Sequence, residues 1–308
     1  MKDITIKRID MHVHVRMYLS ELERETAMTR PARPDQTYAT PEDIRKAYEQ
    51  LDIEKGVLLP GVSPEGGDYS ISNEETFRIA TKYPDLFYWF CGIDPRWGSN
   101  RPDTDLSYFI NHWKALGAKG IGEMTCKMPF DDPKVQNLFY HAEKCDMPVL
   151  FHIGTDRCAY GFYDSVGLPQ LERALKRFPH LTFIGHSAPF WAEISGDCQE
   201  ETRNQYPNGP VTEGGRIGRL MREYPNLSAD LSANSGFNAI TRDPEFSYGF
   251  LEEFQDRLFY ATDICAPVQY GFFKLADFLL DAVRNERISQ DAYRKISRSN
   301  ALKLLERK

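Results

Sequence analysis

The feature that most constrains the fold is a regular alternation of short β-rich runs with longer helical patterns along almost the whole chain. Eight candidate strands are present. They span residues 6–15, 54–60, 86–93, 118–124, 148–153, 181–186, 226–231 and 258–263. The helical stretches between them begin with capping residues followed by proline, as in Thr40-Pro41 and Asp132-Pro133. This alternation is typical of an α/β protein with a parallel sheet.

Eight such units in 308 residues match the usual size of a (β/α)8 TIM barrel. A doubly wound sheet would usually carry a G-x-G-x-x-G turn after its first strand, and this chain has none. We therefore predict one barrel domain over residues 1–308. A closing helix over 290–306 is expected to pack against the barrel exterior.

Charge and cysteine usage exclude several classes of partner. The net charge of -7 offers no basic face for nucleic acid. The longest apolar runs are strand-sized, so neither a signal peptide nor a membrane span is expected. The six cysteines are dispersed without a Cys-x-x-Cys pair, which favours the reducing cytoplasm. The long connections 16–39 and 187–215 can form a lid or a homodimer contact.

Four of the seven histidines fall at the predicted C-terminal ends of strands. His12 and His14 end the first strand, and their spacing puts both on one face because strand side chains alternate. Taken alone, the spacing is as consistent with two unrelated strand histidines as with two metal ligands. His152 ends the fifth strand and His186 the sixth, so all four meet at the rim where barrel enzymes keep their sites.

Two carboxylates reach the same rim. Asp263 ends the eighth strand and is interpreted as a ligand or a base, while Glu123 ends the fourth. Glu123 is either a hydrogen-bonding partner of the ligands or a ligand that bridges two ions. Imidazole and carboxylate donors suit Zn²⁺, Mn²⁺ or Fe²⁺, and zinc is the first choice for a set without thiolates. The sequence leaves open whether the site holds one ion or two.

This set of residues resembles the amidohydrolase superfamily, most closely its amidohydrolase-related branch, which includes aminocarboxymuconate semialdehyde decarboxylase and several hydrolases. The resemblance implies a distorted barrel with His12, His14, His152 and Asp263 around a metal. It also implies that His186 is a ligand or a catalytic residue. Many binuclear members have a lysine on strand 4, where this chain has Glu123, as the deoxyribonuclease-like branch has a glutamate.

The resemblance implies an enzyme that acts on a small molecule, by one of two chemistries. A hydrolase would use metal-activated water on an amide, ester or lactone, with Asp263 as proton acceptor and His186 at the oxyanion. A decarboxylase would hold a carboxylate on the same metal. Hydrolysis is favoured because Glu123 suggests a second metal. A third hypothesis is an inactive barrel that serves as a binding module.

Several residues just beyond the strand ends are candidates for substrate binding. Arg16, Lys127 and Arg157 follow strands 1, 4 and 5 and can pair with a substrate carboxylate, although each also fits a solvated loop charge. Trp191 and Tyr160 can form a pocket wall or pack within loops. The substrate is therefore expected to carry a carboxylate.

Overall fold

The computed structural model describes residues 6–17, 38–65, 71–267 and 274–307. Residues 18–37, which form most of the first long connection, lie outside this part of the chain. The described strands are β1 Arg8–Val13, β2 Ile53–Leu58, β3 Phe87–Trp89, β4 Ile121–Met124, β5 Val149–Gly154, β6 Phe162–Tyr163, β7 Phe183–His186, β8 Leu227–Asp230 and β9 Leu258–Phe259. Each predicted strand overlaps one of them. The short β6, in the connection after β5, was not predicted.

Parallel pairing closes the strands into a ring. One sheet has the order β1-β2-β3 and the other β4-β5-β7-β8-β9, with β6 attached to β5 alone. Parallel bridges from Val13 to Ile264 and from Cys91 to Ile121 join the two sheets at both edges. Eight parallel strands therefore surround one core, which confirms the predicted (β/α)8 fold.

The helices follow the strands as the alternation predicts. They are α1 Pro41–Gln50, α2 Asn73–Lys82, α3 Ser107–Ala115, α4 Pro133–Lys144, α5 Pro169–Arg177, α6 Ala188–Ala192, α7 Arg216–Glu223, α8 Ala233–Thr241, α9 Pro244–Glu253, α10 Leu275–Arg284, α11 Gln290–Arg294 and α12 Asn300–Leu305. A π-helical turn, Lys295–Ser299, joins the last two. Thr40 and Asp43 form a capping box at α1. Within the described residues, no helix has both the length and the apolar character needed to cross a bilayer.

The last helix of the closing segment lies in a different place from the prediction. Ala301, Leu304 and Leu305 belong to the same buried cluster as the inward-facing strand residues Ile9 and Met11. These three residues therefore cover the barrel at the N-terminal ends of its strands, whereas Tyr293 and Ile296, earlier in the closing segment, pack in the larger apolar cluster outside the ring, as predicted. The spacing i, i+3, i+4 places all three on one helix face, and this face finds its apolar partner inside the ring.

Candidate active site

His12 in β1 and His14 just beyond its end point to a common centre at the C-terminal end of the barrel. The Nε2 atoms of His12 and His14 lie 3.1 Å apart. Val13, between them in sequence, points the other way and packs in the larger apolar cluster between the strands and the helices. The Nδ1 of His14 lies 2.8 Å from the carbonyl oxygen of Leu59. Because a carbonyl only accepts, this Nδ1 donates, and in the neutral ring the Nε2 lone pair faces the centre.

The other two histidines come from adjacent strands in register. His152 of β5 pairs with His186 of β7, so both rings emerge at the same level. His152 Nδ1 lies 2.7 Å from Glu123 Oε1, and His186 Nε2 lies 3.8 Å from the same oxygen. Burial lowers the pKa of His186, but the Asp230 carboxylate outweighs this effect and raises it above the ordinary value.

Glu123 stands between the two pairs of histidines. Its Oε2 lies 3.3 Å from His14 Nε2 and 3.6 Å from His12 Nε2, whereas its Oε1 faces His152. Burial raises the pKa of this carboxyl, but the surrounding imidazoles hold it well below its usual range. Gly122 before it has φ of 149°, and a Cβ there would lie 2.7 Å from the Leu150 carbonyl oxygen. Only glycine fits this approach.

Asp263 completes the centre from a turn beyond the end of β9. Its φ is 59°, and its N–H donates to the His12 carbonyl oxygen at 2.8 Å. Its Oδ1 lies 3.5 Å from the Nε2 atoms of both His12 and His14, and its Oδ2 lies 3.8 Å from His186 Nε2. The side chain is 25% exposed, so this carboxylate can reach a bound molecule.

Two buried aspartates that sequence analysis missed support these groups. Asp230, at the end of β8, lies 2.9 Å from His12 Nδ1 and 3.0 Å from His186 Nδ1. Burial raises the pKa of Asp230, but the two imidazoles outweigh it and hold the pKa well below the usual range. The available signal was a carboxylate near the C-terminal end of the predicted strand 226–231, close to the same rim.

Asp10 ties β1 to the turn that carries Asp263. It accepts hydrogen bonds from the Tyr48 hydroxyl at 2.8 Å, from the Thr262 hydroxyl at 2.6 Å and from the Thr262 N–H at 2.8 Å. Burial raises the pKa of Asp10 to about 6. The sequence signal was an aspartate two residues before His12, and its partners come from α1 and the turn after β9.

The converging donor atoms fit a divalent metal ion. The measured distances that link His12 Nε2 and His14 Nε2 with each other and with the nearer oxygens of Glu123 and Asp263 range from 3.1 to 3.6 Å. Donors about 2.0–2.1 Å from a tetrahedral ion are themselves about 3.4 Å apart. A second possible group consists of Glu123, His152 and His186. The residues thus form a candidate metal centre.

A cavity of about 410 Å³ opens next to His152, His186 and Asp263. Its other lining side chains include aromatic, neutral polar and cationic groups. Among them are Tyr160, Asn204, Tyr206, Asn234, Ser235, Phe237 and Lys274. Asn204 and Tyr206 belong to the long connection 187–215, which therefore forms part of the cavity wall.

Comparison with known families shows the family of the chain. The model of the amidohydrolase family matches residues 9–307. The chain belongs to the amidohydrolase family. It is an enzyme of the amidohydrolase type, a hydrolase or a decarboxylase, and its His/Glu/Asp cluster is the candidate site for the metal on which the family depends. A search among curated proteins finds no significant match.

Solved structures share the fold over nearly full length. An uncharacterized TIM-barrel protein from Bordetella bronchiseptica is 17% identical with a TM-score of 0.64, and the match covers 98% of this chain and 99% of that one. A probable 2-pyrone-4,6-dicarboxylic acid hydrolase from Acinetobacter baumannii is 13% identical with a TM-score of 0.56, over 98% and 100% of the chains. A 5-carboxyvanillate decarboxylase from Sphingomonas paucimobilis is 14% identical with a TM-score of 0.58, over 99% and 100%.

The structure places the residues predicted to bind substrate in different surroundings. Arg16 is buried with its guanidinium 4.4 Å from the Tyr38 ring centre, Lys127 is half-buried, and Arg157 is exposed on a turn. Trp191 is 2% exposed in the core, and its Nε1 donates to the Asp230 carbonyl oxygen at 2.9 Å. These four are not among the described residues that line the cavity, whereas Tyr160 is.

This placement predicts the effect of replacing Trp191 by phenylalanine. The substitution removes the hydrogen bond to Asp230 but keeps a ring in the core, so the free energy of unfolding should fall by about 1–3 kcal/mol while KM stays unchanged. Tyr206→Ala is the matched variant on the cavity wall, and it should change KM with little effect on unfolding. Denaturant unfolding and steady-state kinetics measure both. A large rise of KM in Trp191→Phe would instead support the predicted role of Trp191 in substrate binding.

Proposed function

We propose that this amidohydrolase hydrolyses a small, carboxylate-bearing amide, ester or lactone at a zinc centre. The observation that carries the proposal is the position of Asp263, whose Oδ1 lies 3.5 Å from the Nε2 atoms of both His12 and His14 while the carboxylate lines the cavity. We assign His12, His14, Glu123 and Asp263 as metal ligands. A divalent ion there polarises a carbonyl group and activates water when it is bound.

Side chains of this protein carry out the proton transfers. Asp263 takes a proton from the attacking water and passes it to the leaving group, which is general base and then general acid catalysis. The turn that carries it is fixed by its N–H bond to His12 and by the Asp10–Thr262 contacts. His186, when protonated, donates from Nε2 to the oxygen on which negative charge develops.

The cavity supports a small polar substrate. Its volume of about 410 Å³ lies in the usual range for small-molecule sites. Lys274 is the cation among its described lining residues, and Asn204, Asn234 and Ser235 are neutral hydrogen-bonding groups. We propose that the substrate carboxylate faces Lys274 and leaves the scissile carbonyl towards Asp263.

A second candidate function is decarboxylation of an aromatic or unsaturated carboxylic acid. The rings of Tyr160, Tyr206 and Phe237 on the cavity wall favour a flat substrate. In this reaction the bond from carbon to the carboxylate breaks, CO2 leaves, and His186 or Asp263 delivers a proton to the carbon that keeps the electron pair. Convergence of all six candidate ligand residues disfavours the inactive-barrel alternative.

Isotope labelling distinguishes the two reactions. Metal-loaded enzyme is incubated in heavy-oxygen water with a panel of lactones, esters, amides and aromatic acids that carry a second carboxylate. Hydrolysis places one solvent oxygen in the acid product and releases no CO2. Release of CO2, with a deuterium on the carbon that bore the carboxylate when the reaction is repeated in deuterated water, would overturn the hydrolase proposal in favour of decarboxylation.

The proposal predicts how Glu123→Gln alters metal content. If the two Glu123 oxygens serve two ions, the substitution should reduce the metal-to-protein ratio from about two to about one, because two-metal sites depend on a shared anionic ligand. Elemental analysis of the purified protein measures the ratio. Glu193→Gln, at a buried glutamate that accepts from the Gly167 N–H, is the control and should keep the wild-type ratio. A wild-type ratio near one would exclude the bridging role and strengthen decarboxylation.

A further inference from the structure

We propose that Asp230 is a positioning residue that holds the Nδ1 protons of His12 and His186 together, so that both rings present Nε2 to the reaction centre. The two carboxylate oxygens divide between the rings. Oδ2 lies 2.9 Å from His12 Nδ1, and Oδ1 lies 3.0 Å from His186 Nδ1. The ring centroids of the two histidines are 4.4 Å apart, so one carboxylate reaches both.

The surroundings of Asp230 fix which atoms carry the protons. Its Oδ1 also accepts from the Ser232 hydroxyl at 2.6 Å and from the Ser232 N–H at 3.2 Å. Asp230 and His12 are fully buried and His186 is 3% exposed, so bulk water does not compete for these atoms. A carboxylate surrounded by donors can only accept, and each ring must therefore supply an N–H from Nδ1.

The fold holds Asp230 firmly enough for this role. It is the last residue of β8, where the neighbouring Leu231 N–H donates to the Phe259 carbonyl oxygen at 3.0 Å. From the α6 side, the Trp191 indole N–H donates to the backbone carbonyl oxygen of Asp230. By contrast, His14 is oriented by the Leu59 carbonyl oxygen. The Asp230 side chain thus orients both His12, a proposed metal ligand, and His186, the residue proposed to donate a proton.

An amide at this position would separate the two histidines. Asparagine offers one carbonyl oxygen and one NH2 group, so it can accept from only one of the two Nδ1 atoms. His186 Nδ1 also has the Ser232 hydroxyl oxygen 3.0 Å away as a partner, whereas the same oxygen is 3.5 Å from His12 Nδ1. The amide NH2 should therefore face His12, whose Nδ1 would have to accept and whose proton would move to Nε2. A ring protonated at Nε2 cannot bind a metal through that atom.

The test uses nitrogen-labelled, metal-free protein and long-range nitrogen–proton NMR. In the wild type, both rings should carry the Nδ1 proton. In Asp230→Asn, one ring should lose its Nδ1 proton, and zinc affinity measured by chelator competition should fall about 10- to 100-fold. Asp164→Asn is the control, because Asp164 is also a buried carboxylate but accepts from backbone N–H groups at the start of α5.

Two results would overturn the proposal. One is a wild-type spectrum in which either ring lacks the Nδ1 proton, a measurement that holds even if the variant does not fold. The other is a folded Asp230→Asn protein with wild-type ring protonation and zinc affinity. The zinc measurement rests on the proposed metal-binding function, whereas the NMR measurement needs neither metal nor substrate. Failure of the hydrolase proposal would therefore leave the NMR result standing.

Discussion

Replacement of His14 by alanine is expected to remove most bound metal and to lower kcat/KM at least about a thousandfold, because metal catalysis contributes several kcal/mol to transition-state stabilisation. His12→Ala should have the same effect. The barrel should stay folded, since both side chains lie at the C-terminal rim and the apolar core does not depend on them. Elemental analysis, kinetics and thermal unfolding measure the three quantities.

The two variants should differ in stability. His14 is partly exposed and its Nδ1 bonds to one carbonyl oxygen, so its loss should cost little. His12 is fully buried, and its removal leaves Asp230 with one donor fewer, which should cost about 1–3 kcal/mol. His180→Ala is the control, because His180 is exposed and lies before β7, away from the site. A His14→Ala protein with full metal occupancy would refute the ligand assignment.

Asp263→Asn is expected to lower kcat by about 10²- to 10⁴-fold, the usual contribution of a general acid or base, while KM changes only a few-fold. The amide preserves the shape of the side chain but cannot accept the proton. Steady-state kinetics of metal-loaded protein measure both constants. Metal content must be measured in the same sample, since Oδ1 also faces the imidazoles of His12 and His14. An unchanged kcat at full metal content would show that Asp263 is not the general base.

Most of the fold could be predicted because its signals are local. Buried parallel strands are short apolar runs, and the helices between them begin at capping residues such as Thr40 and Asp132. The eight strands were therefore found, with their ends shifted by a few residues. The predicted location was wrong for the last turns of the closing helix, since periodicity shows an apolar face but not the surface that this face meets.

The sequence by itself also placed the six candidate ligand residues on one rim, because the C-terminal ends of parallel strands meet in a barrel. The tertiary structure alone decided which atoms of these residues meet and what orients them. Asp230 and His12 are 218 residues apart, and nothing local distinguishes a buried aspartate from one at a turn. The directions of Arg16 and Arg157 likewise depend on the backbone conformation after the strand ends, and that of Trp191 depends on how helix α6 packs. Periodicity determines the face and level of a side chain, but its partners depend on contacts between distant elements.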